Sequence, residues 1–191
     1  MLDAFGNRDT SFQASASALV LGLAVTNDDV YLAGKFLWVG DEERAGFAAV
    51  DANTGAVDLD SEFNVENSAA AGQLARGIVV TSDGNSVFGL HFGTSINGNP
   101  REALVKIDTS GDNAGLADWR VDWSGQTRFR SCLSSLRDIA ISPDDSFIVI
   151  VARVQITRRT AIRFCDPQRT AQALSALTGP HGFTRAFSLL L

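Results

Sequence analysis

Few side chains in this 191-residue chain could act as acid, base, nucleophile or metal ligand by type and spacing alone. His91 and His181 are the two histidines, and neither has a metal-ligating partner at useful spacing, so both read as structural or solvated. Cys132 and Cys165 lie 33 residues apart with no Cys-x-x-Cys spacing, which argues against zinc. They read either as a disulfide, contributing roughly 3–4 kcal/mol through loop-closure entropy, or as two small buried hydrophobes in a reducing compartment. The stretch Asp51 to Glu62 opens like a calcium loop, but Gly55 stands where a ligand belongs and Ala56 where the turn glycine belongs. An aspartate-stabilised turn is the better account, with a weak surface calcium site as its alternative. No other cofactor is expected. The sequence holds no Gly-x-Ser-x-Gly elbow, phosphate-binding loop or His-Glu-x-x-His helix.

Arg76 and Arg137 have a different claim, which depends on the elements that carry them. Arg76-Gly77-Ile78-Val79-Val80-Thr81 passes through Ser82–Asn85 into Val87–Leu90. Arg137-Asp138-Ile139-Ala140-Ile141-Ser142 passes through Pro143–Asp145 into Phe147–Val151, and Leu21–Thr26 passes through Asn27–Asp29 into Val30–Gly34. Each is an apolar, β-branched run, a turn of Asn, Asp, Gly, Ser or Pro, and a second such run, which is a hairpin signal. The runs are nearly continuous in apolar residues, so both faces of these strands are expected to be buried. A third strand follows in each case (46–50, 103–107, 160–164), and a fourth is visible in the second unit as Trp119–Trp123.

Each third strand ends on an aspartate, followed by a small turn and then an aromatic: Asp51 with Phe63, Asp108 with Trp119, and more faintly Asp166. The opening Asp3 with Phe12 reads as the end of a preceding repeat. The aspartates are 48, 57 and 58 residues apart, about the length of one four-stranded propeller blade. A unit of this size cannot bury its own faces and must stack on copies of itself. The expected fold is all-β: a partial β-propeller of about three four-stranded antiparallel blades, over residues 17–63, 72–123 and 134–166. An irregular or short-helical tail is expected over 167–191. Three blades do not close a ring that typically needs four to eight, so either further blades come from a parent chain or from other subunits, or the piece remains an open stack with exposed ends. Inner propeller strands line a channel, and in register Arg76 and Arg137 coincide, with Asp138 beside the latter. These three are the candidates for an anion site at the channel mouth. The alternative is that each arginine pairs with a carboxylate such as Asp138 and locks neighbouring blades.

Val30–Phe36, a polar loop, Phe47–Asp51, Thr54-Gly55 and Asp58 resemble one delta-60, or DUF5122-type, β-propeller repeat, and Asp9-Thr10-Ser11-Phe12 resembles its closing phrase. The resemblance covers roughly residues 1–166; it is good in the first unit, looser in the second, where Leu90-His91-Phe92 replaces Gly-x-Phe, and poorest in the third. It implies a propeller of bacterial, often secreted or surface-attached proteins, and it brings no catalytic residues. Some propellers of this type carry a cysteine pair around an Arg-Asp-Ile/Val-x-x-Ser-Pro-Asp strand, which Arg137–Asp144 resembles. The resemblance thereby favours a Cys132–Cys165 disulfide and an extracellular or periplasmic setting.

Composition narrows the partners. With 45% hydrophobic and 20% charged residues the chain is ordinary globular material, and no apolar run is long enough for a membrane-spanning helix. Residues 1–117 hold 6 basic and 16 acidic side chains, while residues 118–191 hold 10 arginines against 6 carboxylates. The arginines of 153–169 straddle a hairpin with no nucleic-acid motif around them, and the net charge of -6 disfavours phosphate backbones. The favoured function is a non-catalytic binding or scaffold module, with a protein or glycan at a cell surface as partner. The alternative is a fragment of a propeller enzyme, a hydrolase or quinoprotein-type oxidoreductase, with its active residues mostly outside this chain.

Overall fold

The computed structural model describes residues 2, 4–68, 72, 74–111, 113–121, 136–152 and 185–188, and among these it is all β-strand, turn and loop, with no helix. The first unit contains β1 (Val20–Val25), β2 (Asp29–Gly34), a small hairpin of β3 (Trp38–Val39) and β4 (Glu42–Glu43), and β5 (Phe47–Asp51). β6 (Val65–Glu66) follows, then the second unit: β7 (Ala75–Val80), β8 (Ser86–His91), the hairpin β9 (Ser95–Ile96) and β10 (Asn99–Pro100), β11 (Leu104–Asp108) and β12 (Gly115–Leu116). The third has β13 (Leu136–Ile141), β14 (Phe147–Ala152) and β15 (Arg185–Ser188).

Within each unit the strands pair as antiparallel neighbours, in the orders β1-β2-β5 and β12-β11-β8-β7, with β13 on β14. The first unit's counterpart of β12 is a single bridge, Val50 to Val57, at the place where Ile107 meets Leu116. The strand paired on β11 is thus Gly115–Leu116; of the fourth strand expected at 119–123, residues 119–121 are not strand and 122–123 lie outside the described residues. Trp119 instead packs edge-on against Phe88, ring centroids 5.5 Å apart, between the second and third units. Phe63 fills the matching place between the first and second units, and Phe12 packs on the free side of the first. The recurring aromatic therefore wedges units together rather than extending a sheet. Residues 160–164, expected as a third strand, lie outside the described residues. Beside β14 runs β15, in parallel pairing, within the stretch read from sequence as an irregular or helical tail.

β1, β7 and β13 belong to three separate sheets yet lie next to one another in that order. Glycine permits this approach: a Cβ on Gly22 would lie 3.1 Å from Gly77 Cα, and one on Gly77 would lie 2.9 Å from Ile139 Cγ2. Two apolar clusters fill the spaces between units. Ala24, Tyr31, Ala33, Phe47 and Ala49 meet Ala75, Ile78, Val87, Val105 and Ile107; Phe88, Leu90 and Leu104 meet Leu136, Ile139, Ile148 and Ile150. The expectation that inner strands are buried on both faces fails at β1, where Leu21, Leu23 and Val25 are exposed, and at β13, where Asp138 and Ala140 are exposed, because no described unit lies beyond either.

Candidate functional site

The geometry of Arg76 and Arg137 begins with an irregularity in the ladder. Between β7 and β8 the register passes from Ala75↔His91 to Gly77↔Leu90, so Arg76 is an extra residue, a β-bulge. Between β13 and β14 it passes from Leu136↔Ala152 to Asp138↔Val151, which leaves Arg137 bulged in the same way, and Leu21 is the bulged residue of β1. A bulge re-aims the side chain it carries. Here it sets two arginines at one repeat position on adjacent strands, half-buried at Arg76 and exposed at Arg137. Arg76 Nε donates to the Arg137 main-chain oxygen at 3.1 Å, so the side chain of one unit is tied to the backbone of the next.

The carbonyl contact is made by the Arg76 side chain, and it is to the Arg137 main chain rather than to a carboxylate. Asp138 Oδ1 accepts the N–H of Ile139 at 2.9 Å, within its own strand. Among the described residues the ion pairs are Arg101–Asp118 and Arg120–Asp118, and neither involves Arg76 or Arg137. The structure thus brings Arg76, Arg137 and Asp138 to one edge of the stacked inner strands, with neither arginine ion-paired among the described residues.

Most of the other turn aspartates are occupied by their own turns. Asp51 Oδ1 accepts from the N–H groups of Asn53 and Thr54 at 3.1 and 2.7 Å and from Thr54 Oγ1 at 2.7 Å. Asp9 is bound in the same manner by Ser11, Asp83 by Thr81 and Asn85, Asp108 by Ser110, and Asp144 by Ser146. Side-chain hydroxyls are the foremost cause, Ser142 ahead of Ser146 at Asp144, and hold all five carboxyls below the usual range. The calcium-like loop at Asp51 is accordingly a hydrogen-bonded turn, closed by Gly55 N–H to Asp51 oxygen at 2.9 Å. Asp145 serves a further purpose: its Oδ2 accepts from Ser82 N–H and Oγ at 2.8 and 2.6 Å, joining the hairpin turns of the second and third units.

His91 is fully buried beside Phe47, ring to ring at 6.1 Å, with neither ring nitrogen hydrogen-bonded, and burial pushes its pKa down to about 3. It is a neutral core side chain. His181, Cys132 and Cys165 lie outside the described residues.

Sequence reasoning missed Arg44 and Arg101. Both are buried, and each donates to two main-chain oxygens: Arg44 to Glu43 at 2.8 Å and Asp58 at 3.1 Å, Arg101 to Pro100 at 2.9 Å and Ala117 at 2.8 Å. They clamp the chain that leaves each third strand. Their separation of 57 residues equals that of Asp51 and Asp108, and that coincidence was the signal that could have found them. No protein-family model, curated protein or solved structure matches this chain.

Proposed function

We propose that this chain is a non-catalytic segment of a β-propeller that works as a binding or scaffold module at an extracellular or periplasmic surface. Its ligand contact is with an anionic group, a carboxylate, sulfate or phosphate presented by a glycan or protein, held by Arg76 and Arg137. The observation that carries this reading is the paired bulge, which sets two arginines from adjacent units on one edge, neither of them ion-paired among the described residues. The inner strands β1, β7 and β13, stacked in order, support the propeller reading, since a channel-lining strand in each blade has this relation to its neighbours. The non-catalytic reading draws on the turn aspartates, in each of which Oδ1 is already taken by local donors. The extracellular setting rests on the Cys132–Cys165 disulfide read from sequence.

Calorimetric titration with sulfated and uronate oligosaccharides tests the contact. Arg76→Ala and Arg137→Ala are each expected to weaken binding about tenfold, as loss of a charge-assisted hydrogen bond does, and added salt should weaken the parent's binding too. Variants that melt earlier yet keep full affinity would assign the arginines to locking the units together. Absence of binding to every acidic probe would remove the anion contact altogether. Two titratable thiols in the unfolded, unreduced protein would remove the argument for an oxidising compartment.

A further inference from the structure

The two observed contacts between units follow one rule of facing. On β7, Ile78 and Val80 face back toward the first unit, and on β13, Ile139 and Ile141 face back toward the second. Ile78 is 6% exposed and Ile139 5%. Counted from the bulge, their counterparts on β1 are Leu23 and Val25, which are 60% and 59% exposed. Phe12 and Ala16 cover the same side of the first unit over β2 and β5, with Val30, Val50 and Val57, but leave the inner strand open.

The opposite side obeys the same rule. Gly22 and Ala24 of β1 face onward to the second unit, as Gly77 and Val79 of β7 face onward to the third. The equivalent residues of β13 are Asp138 and Ala140, both exposed, with Val149 of β14 half-buried on that side. Among the described residues, the two ends of the stack therefore expose the two halves of an interface that is already used twice.

We propose that the Leu23–Val25 edge of β1 docks a second copy of this chain, whose Asp138–Ala140 edge seats on it as Gly22–Ala24 seats on β7. The contact continues the internal one: it removes an apolar row from water, and it is heterologous, joining different surfaces of the two copies. It depends on the stacking of the units and not on the anion contact. One residue departs from the internal pattern. Asp138 stands where Gly22 and Gly77 stand, and at Gly22 even a Cβ would come within 3.1 Å of the next strand's Cα. The contact between copies is for that reason weaker than those within the chain, and Asp138→Gly strengthens it.

Sedimentation equilibrium of the whole chain over a concentration series tests this. Concentration-dependent self-association is expected, lost in Leu23→Asp and lost in Ala140→Asp; both sites are exposed in the monomer, so unchanged circular dichroism should accompany the loss. A mixture of these two variants should associate again, because each keeps the face the other has lost. Asp138→Gly should tighten the parent association about tenfold. A chain that stays monomeric throughout would overturn the proposal and leave the anion contact untouched. Association abolished by Leu23→Asp but indifferent to Ala140→Asp would also overturn it, in favour of β1 packed on β1.

Discussion

Replacing Gly22 by alanine tests whether the inner strands lie backbone against backbone. The new Cβ would sit 3.1 Å from Gly77 Cα, 3.2 Å from Ile78 N and 3.4 Å from Arg76 O. All three are main-chain atoms, so no rotamer change relieves the crowding. β1 is held by β2 and β7 by β8, and either strand moves only by straining its own ladder. Overpacking of this kind costs about 1–3 kcal/mol. Alanine recovers about 0.5–1 kcal/mol of it, because glycine is the poorer residue in a strand. The net expectation is a loss of roughly 0–2.5 kcal/mol, which lowers the melting temperature by up to several degrees in a domain of this size. Gly115 in β12 supplies the control, since a Cβ there meets no heavy atom within 4 Å. Gly115→Ala should be more stable than the parent by about 0.5–1 kcal/mol. Urea unfolding followed by tryptophan fluorescence, with unchanged slopes, would read both values. A Gly22→Ala protein stabilised as much as Gly115→Ala would refute the packing of β1 on β7 described above.

Three further outcomes follow from buried groups. His91 is neutral in the folded chain, with its pKa lowered to about 3 against an ordinary 6.5, so below 6.5 the unfolded chain binds a proton that the folded one refuses. Stability should fall as pH drops from 6.5 toward about 3, by up to about 1.4 kcal/mol per pH unit. His91→Leu should abolish this slope without loss at neutral pH, because two unpaired ring nitrogens disappear with it; urea midpoints across that range give the answer. The turn aspartates destabilise in the same direction only below their ordinary 3.8, since their folded values are depressed and their contribution is complete above it. Arg101→Met should cost about 2–4 kcal/mol by leaving the Pro100 and Ala117 oxygens without their donor. Arg44→Met should cost a similar amount in the same unfolding assay, as its counterpart 57 residues earlier.

The hairpins were legible because their turns are local chemistry. Thr81 to Ser86 and Ser142 to Phe147 carry the donors and acceptors that close them, and Gly84 and Asp145 take the same left-handed backbone, φ 74° and 56°. The positions of β1, β2, β5, β7, β8, β11, β13 and β14 were readable for the same reason. The fourth strand was misplaced because Trp119 reads as a strand residue by type, while its ring is used between units. The bulges were not legible. An extra residue exists only relative to a partner strand, so Arg76 and Arg137 could be aligned in sequence but not known to project where they do. Arg44 and Arg101 escaped because a basic residue in a polar loop is ordinarily solvated; their burial depends on the carbonyls of Asp58 and Ala117, fourteen and sixteen residues further on.

The order of residues alone therefore determined that the chain forms short strands joined by aspartate-closed turns, and that the pattern recurs. Period, β-branching and turn chemistry act over a few residues and need no tertiary partner. What only the tertiary structure decided is which faces those strands share. Burial of Ile78 and exposure of Leu23, at the same place in the repeat, depend on whether another unit lies alongside, and that is a property of the assembled stack rather than of either residue.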